Sequence, residues 1–203
     1  MLKSDKYKEI EKEYGYVCSW AVWEKTDDTP KSNIADMSIF NINKNPQLLK
    51  ILQPNIVMVA LNFARDTSDF QKPFMNFHDS NPYGQDYKIR YAFEDTPYYG
   101  AYMTDIIKNY PEVNSKKVFQ TLKKDPNKVK ENIDFFEKEL KFVCSDKPLI
   151  LAFGTQAFEI LEKNLDKSTY TKLIKITHYS YRIGKEKYRK KVLSQIKTSY
   201  KKN

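Results

Sequence analysis

The chain has 203 residues, 40% of them hydrophobic, 30% charged and 14% aromatic, a composition that argues against intrinsic disorder and suits one domain with a sizeable core. Its two cysteines, Cys18 and Cys144, exclude a disulfide framework and a four-cysteine zinc or iron–sulfur site within the chain. The net charge is +9, and residues 182–203 hold nine basic groups against one acid, Glu186, so nearly all of the excess sits at the C-terminal end.

In chain order, residues 5–13 read as a short charged helix, and Tyr14 to Trp23 as a strand or aromatic segment. Thr26 to Ser32 is polar enough for a loop, and Asn45-Pro46 offers a helix start before Leu48, Leu49 and Ile51. Ile56-Val57-Met58-Val59-Ala60-Leu61 is an unbroken apolar run of strand length, as expected of a strand buried on both faces. From Asn62 to Pro97 little periodicity is visible, but seven Phe or Tyr between positions 70 and 93 point to a functional stretch. Ala101 to Thr104 reads as a second buried strand, with a turn into Ile106-Ile107. Asp125-Pro126 caps a helix whose apolar positions Val129, Ile133, Phe136, Leu140 and Val143 keep helical spacing. Pro148 to Phe153 is a third strand that breaks at Gly154 into a helix over Thr155 to Lys163, and Leu173 to Thr177 is a fourth. Tyr188, Val192, Leu193 and Ile196 give the closing helix one apolar face, with lysines largely opposite.

This alternation predicts a three-layer α/β/α sandwich around a mainly parallel sheet of about four strands. Residues 1–53 would form an N-terminal extension packed on a single domain, and residues 184–203 its basic C-terminal helix. In such folds ligands sit at the carboxyl ends of the strands, which directs attention to the loops 62–97, 104–110, 154–156 and 177–184. The five glycines, no two within ten residues of each other, exclude both the dinucleotide fingerprint and the P-loop, which need closely spaced glycines near phosphates. No apolar run reaches the length of a membrane span and no signal-peptide core follows Met1, so a cytoplasmic protein without a membrane partner is expected. A basic end on a near-neutral body suits nucleic acid, whereas a solvated lysine-rich helix would need no partner. Four arginines against 31 lysines speak against reading duplex sequence by bidentate contacts.

Four strand-to-loop junctions then line up: Ala60-Leu61-Asn62-Phe63-Ala64 with Pro73-Phe74 beyond it, Thr104-Asp105-Ile106-Ile107-Lys108, Ala152-Phe153-Gly154-Thr155, and Thr177-His178-Tyr179-Ser180. In order and position this series resembles the uracil-DNA glycosylase superfamily over roughly residues 54–196. The resemblance implies hydrolysis of the N-glycosidic bond of a flipped base in DNA, without a cofactor or metal. It places Asn62 where a water is held, Phe74 where an aromatic ring stacks on the base, and Asp105 where the base edge is read. His178 would stabilise charge on the departing base, and Ser180, Arg182 and Lys185 would contact the nucleic-acid backbone. These residue types suit the chemistry, since an extruded base needs an aromatic platform, edge-reading polar groups and a donor for developing negative charge. The chain departs from the family's motifs where Ala60 and Ala64 replace glycines, Phe63 and Tyr179 replace prolines, and Asp105 stands for the usual Asn. An ionised Asp accepts only, so Asp105 would suit a base presenting an amino group. Gly84-Gln85-Asp86-Tyr87 echoes another version of the first motif but follows no buried strand, and His78 reads as structural. Two other functions fit the same fold: a nucleic-acid-binding module without catalysis, and an enzyme of free nucleosides or nucleotides.

Overall fold

A computed structural model describes residues 1–25, 35–63, 72–78, 84–108, 110, 112 and 114–201; the expected 26–32 loop and Ala64 lie outside them. Five strands form one sheet, β1 (Cys18–Trp20), β2 (Gln53–Asn62), β3 (Ala101–Ile107), β4 (Leu149–Phe153) and β5 (Lys172–Ile176), in the order β1-β3-β2-β4-β5. All neighbours run parallel except β1, which pairs antiparallel with β3 through Cys18 opposite Thr104 and Trp20 opposite Tyr102. The stretch read as an N-terminal extension therefore supplies an edge strand, with Trp20 fully buried.

The strand β2 lies between β3 and β4, and its apolar run divides between two cores as strand alternation requires. Val57, Val59 and Leu61 enter one core with α1 (Ser4–Tyr14), α4 (Ser115–Lys124), α5 (Pro126–Val143) and α6 (Gly154–Asn164), while the short α2 (Leu48–Ile51) adds Leu48. Met58 and Ala60 enter the other, under α3 (Tyr87–Phe93) and α7 (Lys185–Ser199). Helices thus cover both faces of the sheet, an α/β arrangement compatible with three layers. No helix among the described residues is long and apolar enough to cross a membrane.

Local signals account for most of these elements. Asp125 caps α5 by accepting from the Lys128 amide at 3.1 Å, Pro126 opens its first turn, and Ile133, Phe136, Leu140 and Val143 are buried at helical spacing. Two features differ from the sequence expectation. Strand β3 does not turn after Thr104 but runs to Ile107 with all seven residues buried. It can do so because its polar residues find partners: Thr104 donates to Glu139 Oε1 and Asp105 accepts from Asn76. The stretch that lacks periodicity contains α3, whose buried side includes Lys88 and Arg90 as well as Ile89, Ala92 and Phe93. Two cations on the inward side of a seven-residue helix mask its apolar period.

Gly100 closes the approach to β3 at φ +86°, and a β-carbon there would fall 2.1 Å from the Ile51 carbonyl oxygen. Left-handed strain and a backbone clash act together. Gly100→Ala is expected to lose more than about 2 kcal/mol of stability, read as a lower denaturation midpoint at unchanged slope.

Candidate functional site

Chain direction through the sheet reverses at β2: the connection through α3 leads to β3 on one side, and the next strand, β4, pairs on the other. The carboxyl ends of β2 and β4 are therefore the topological switch point, where open α/β sheets leave a crevice for ligands. Asn62 ends β2, Phe153 ends β4 with Gly154 opening α6, and His178 follows β5 by two residues.

The loop carrying His178 is held from both sides. Its first residue, Thr177, donates its amide to Gln195 Oε1 at 2.9 Å, and the Tyr188 hydroxyl of α7 donates to the Thr177 carbonyl. On the far side, buried Lys88 of α3 donates from Nζ to the Tyr181 carbonyl at 2.9 Å. Gly154 opens α6 at φ +84°, a left-handed backbone conformation that L side chains rarely adopt, and lies alongside the imidazole. Tyr179 stacks on the imidazole at 4.3 Å between centroids, and Phe153 meets it edge-on at 6.2 Å.

The Ser180 amide donates to His178 Nδ1 at 3.1 Å, and Ser180 Oγ lies 2.8 Å from the same atom. A backbone N–H only donates, so Nδ1 is an acceptor and the proton of the neutral ring belongs on Nε2. Burial pushes the His178 pKa down to about 4. At neutral pH this residue is an uncharged hydrogen-bond donor through Nε2.

Asp105 lies 2% exposed on the face of β3 toward α3 and α7, opposite Ala60 of β2. Its Oδ2 accepts from Asn76 Nδ2 at 2.9 Å, and the same amide group donates to the Val17 carbonyl at 3.1 Å. Burial raises the Asp105 pKa to about 7, against the lowering effects of Asn76 and Lys108. The next residue along, Phe77, packs edge-on against Tyr179 at 6.2 Å. A continuous series of contacts, Asp105 to Asn76, Phe77, Tyr179 and His178, therefore joins the two titratable groups. Asn62 stands at the same edge with Nδ2 donating to the Glu112 carbonyl at 2.8 Å, which leaves Oδ1 as the atom suited to accept from a water.

The structure places Phe74 elsewhere. Its ring is wholly buried between Tyr7 at 5.4 Å and Phe40 at 5.2 Å, while its backbone is pinned by the Gly15 carbonyl and the Ser19 hydroxyl. A ring so enclosed has no face for a base, which corrects its assignment as the stacking platform. The aromatic rings beside His178 are Tyr179 and Phe153, while Phe77, three residues on from Phe74, is itself buried and meets Tyr179. Phe74 and Phe77 both take left-handed φ values, 65° and 64°, an uncommon state for bulky residues and one that gathers at binding sites. His78 is structural as expected, buried between the rings of Trp23 and Phe40.

Of the backbone-contact candidates, Ser180 and Arg182 are exposed and Lys185 is half-buried. Lys185 Nζ lies 4.6 Å from the Tyr91 ring, and Arg189 Nη1 donates to the Tyr91 and Glu94 carbonyls at the end of α3. Part of the basic charge thus fastens α7 to the C-terminus of α3, where cations are favoured. Arg182, Lys187, Lys190, Lys191, Lys197 and Lys201 remain exposed on this end of the molecule.

Among the described residues no three His, Cys, Asp or Glu side chains are placed to hold a metal ion. Burial raises both thiols, Cys144 to about 12 and Cys18 further, so neither is an activated nucleophile. The chain matches no family model, no curated protein and no solved structure.

Proposed function

We propose that the protein is a divergent uracil-DNA glycosylase-like hydrolase that removes a base from DNA. The observation that carries this reading is His178, held neutral with Nε2–H as its donor beside the switch point of the sheet and linked by contacts to the buried carboxyl of Asp105 on β3. Hydrolysis breaks the bond between C1′ and the base nitrogen, and the bonding electrons leave with the base. The Nε2–H of His178 stabilises that developing charge at a carbonyl of the base, as a preorganised donor in a dry site does best. Asn62 Oδ1 holds the water whose oxygen adds to C1′, and the proton released ends on the departing base. Asp105 reads the edge, and Ser180, Arg182 and the exposed lysines meet phosphates.

The test is incubation with single- and double-stranded oligonucleotides carrying uracil, hypoxanthine, xanthine or mismatches, followed by cleavage at abasic sites. Strand scission above a His178→Ala control is expected for at least one base. None for any of them overturns hydrolysis, and salt-sensitive binding without scission would assign a binding module instead.

A further inference from the structure

We propose that a cleft at the amino end of β2 binds an amphiphilic anion, a single molecule with an apolar body and a carboxylate or phosphate head. The inference is independent of the glycosylase reading, because the cleft lies at the opposite end of β2 from Asn62 and shares no residue with the site around His178.

The cleft has a volume of about 680 Å³, in the range that holds small ligands. Its walls come from three places in the chain: the start of α1, the end of α2 with the first residues of β2, and the segment that leaves α5. Hydrogen bonds fasten these pieces. The Leu2 amide donates to the Leu49 carbonyl at 3.1 Å, and Asn55 Oδ1 accepts from the Ser145 amide at 2.9 Å. Gln53 Nε2 donates to the Pro97 and Tyr99 carbonyls, each at 2.8 Å. A ligand therefore meets a preformed site and does not have to order it on binding.

Two chemistries meet in the lining. Ile56 and Phe142 remain half-buried and, with Leu52 and Val143, give the cleft an apolar wall. Lys3, Lys6 and Lys50 supply three ammonium groups, and among the described residues no carboxylate lines the cleft. Lys6 Nζ sits 3.5 Å from the centroid of the Phe142 ring, which sets a positive charge directly against the apolar wall. Of the three lysines, Lys6 alone has a described carboxylate within ion-pair reach, Glu9 at 3.3 Å. Like charges gathered in one cleft repel one another and attract an anion. A purely polar anion leaves the wall in water, and an apolar cation meets repulsion; an anion with an apolar body satisfies both parts. The cleft between α4, α5 and α6, of about 270 Å³, offers no such excess, since Glu159 stands there beside Lys123 and Lys163.

The experiment titrates the full chain by calorimetry with laurate and with dodecyl phosphate, each below its micelle concentration, beside inorganic phosphate, dodecyltrimethylammonium and phosphatidylglycerol vesicles. At least one of the two anionic amphiphiles should bind once per chain and shift the amide NMR signals of residues 2–6, 50–56 and 142–145. The combined variant Lys3→Gln, Lys6→Gln and Lys50→Gln should bind it roughly tenfold more weakly or worse. Removing the same charge outside the cleft, through Lys124→Gln, Lys130→Gln and Lys138→Gln, should leave the affinity within about twofold, because exposed charges beyond the Debye length are screened. Should the first variant fail to fold, the shifts in the native chain still locate the ligand. The proposal is overturned if neither anionic amphiphile binds, if the folded cleft variant binds as the native chain does, or if the shifts fall elsewhere. Equal affinity for inorganic phosphate overturns the apolar body, and equal affinity for the cationic amphiphile overturns the charge preference. Binding to vesicles alone replaces the single-molecule site with a membrane surface.

Discussion

Glu139→Ala is expected to cost about 3–5 kcal/mol of folding stability. Glu139 lies on the inward side of α5 with no solvent exposure. Its Oε1 accepts from the hydroxyls of Tyr102 and Thr104, each at 2.8 Å, and its Oε2 stands 2.6 Å from Lys108 Nζ. That ammonium is itself 92% shielded, at 8% side-chain exposure. Removing the carboxylate strands a buried cation and two hydroxyl groups, and desolvation that was repaid by pairing is then repaid by nothing. Glu139→Gln keeps an acceptor for the hydroxyls and should lose less. The double variant Glu139→Leu with Lys108→Met removes both charges and should recover much of the loss, because a buried pair is worth little against apolar replacements of similar volume. Denaturant midpoints read all three. A Glu139→Ala midpoint within experimental error of the native one would contradict the network. Because Lys108 Nζ also holds the carbonyl of Asp105, the same network braces the strand end that carries the site.

Glu139 also marks where local patterns stop informing. The helix α5 was legible because Asp125-Pro126 is a start signal and five apolar residues repeat at its period, yet a carboxylate among them reads from sequence as a solvated residue. Only Tyr102, Thr104 and Lys108, brought in from β3 and its end, make its burial tolerable, and those partners are about 30 residues away in the chain. The same cause hid α3, where Lys88 is satisfied by the Tyr181 carbonyl from a distant loop. Strand ends were legible, since β2 and β4 announce themselves as apolar runs and β5 as a short strand rich in Leu and Ile, and with them came the positions of Asn62, Gly154 and His178. Phe74 was picked by its spacing from Asn62, and spacing could not register that its ring packs between Tyr7 and Phe40 in the core.

If the protein is the glycosylase proposed above, His178→Ala is expected to lower base excision by about 10²–10³-fold, the effect of deleting one preorganised donor at a site of developing charge. A loss of that size could also follow from a damaged loop, so a readout unrelated to turnover is needed, and the acid side of the stability curve provides one. A buried imidazole whose pKa falls from 6.5 to about 4 contributes its full share of stability above pH 6.5 and loses it as pH falls toward 4. Asp105 behaves oppositely: a carboxyl raised from 3.8 to about 7 contributes fully below pH 4 and loses that share as pH rises through 7. In the native chain the two slopes oppose each other between pH 4 and 6.5. His178→Ala should uncover the Asp105 slope, so that the variant gains stability as pH is lowered from 7 to 4. Asp105→Asn should uncover the His178 slope and lose stability over the same interval. At roughly 1.4 kcal/mol for each tenfold change in proton affinity, both slopes are large enough for denaturant titrations at four or five pH values. Parallel curves for the native chain and both variants would show that neither group is buried in the protonation state that the site chemistry requires.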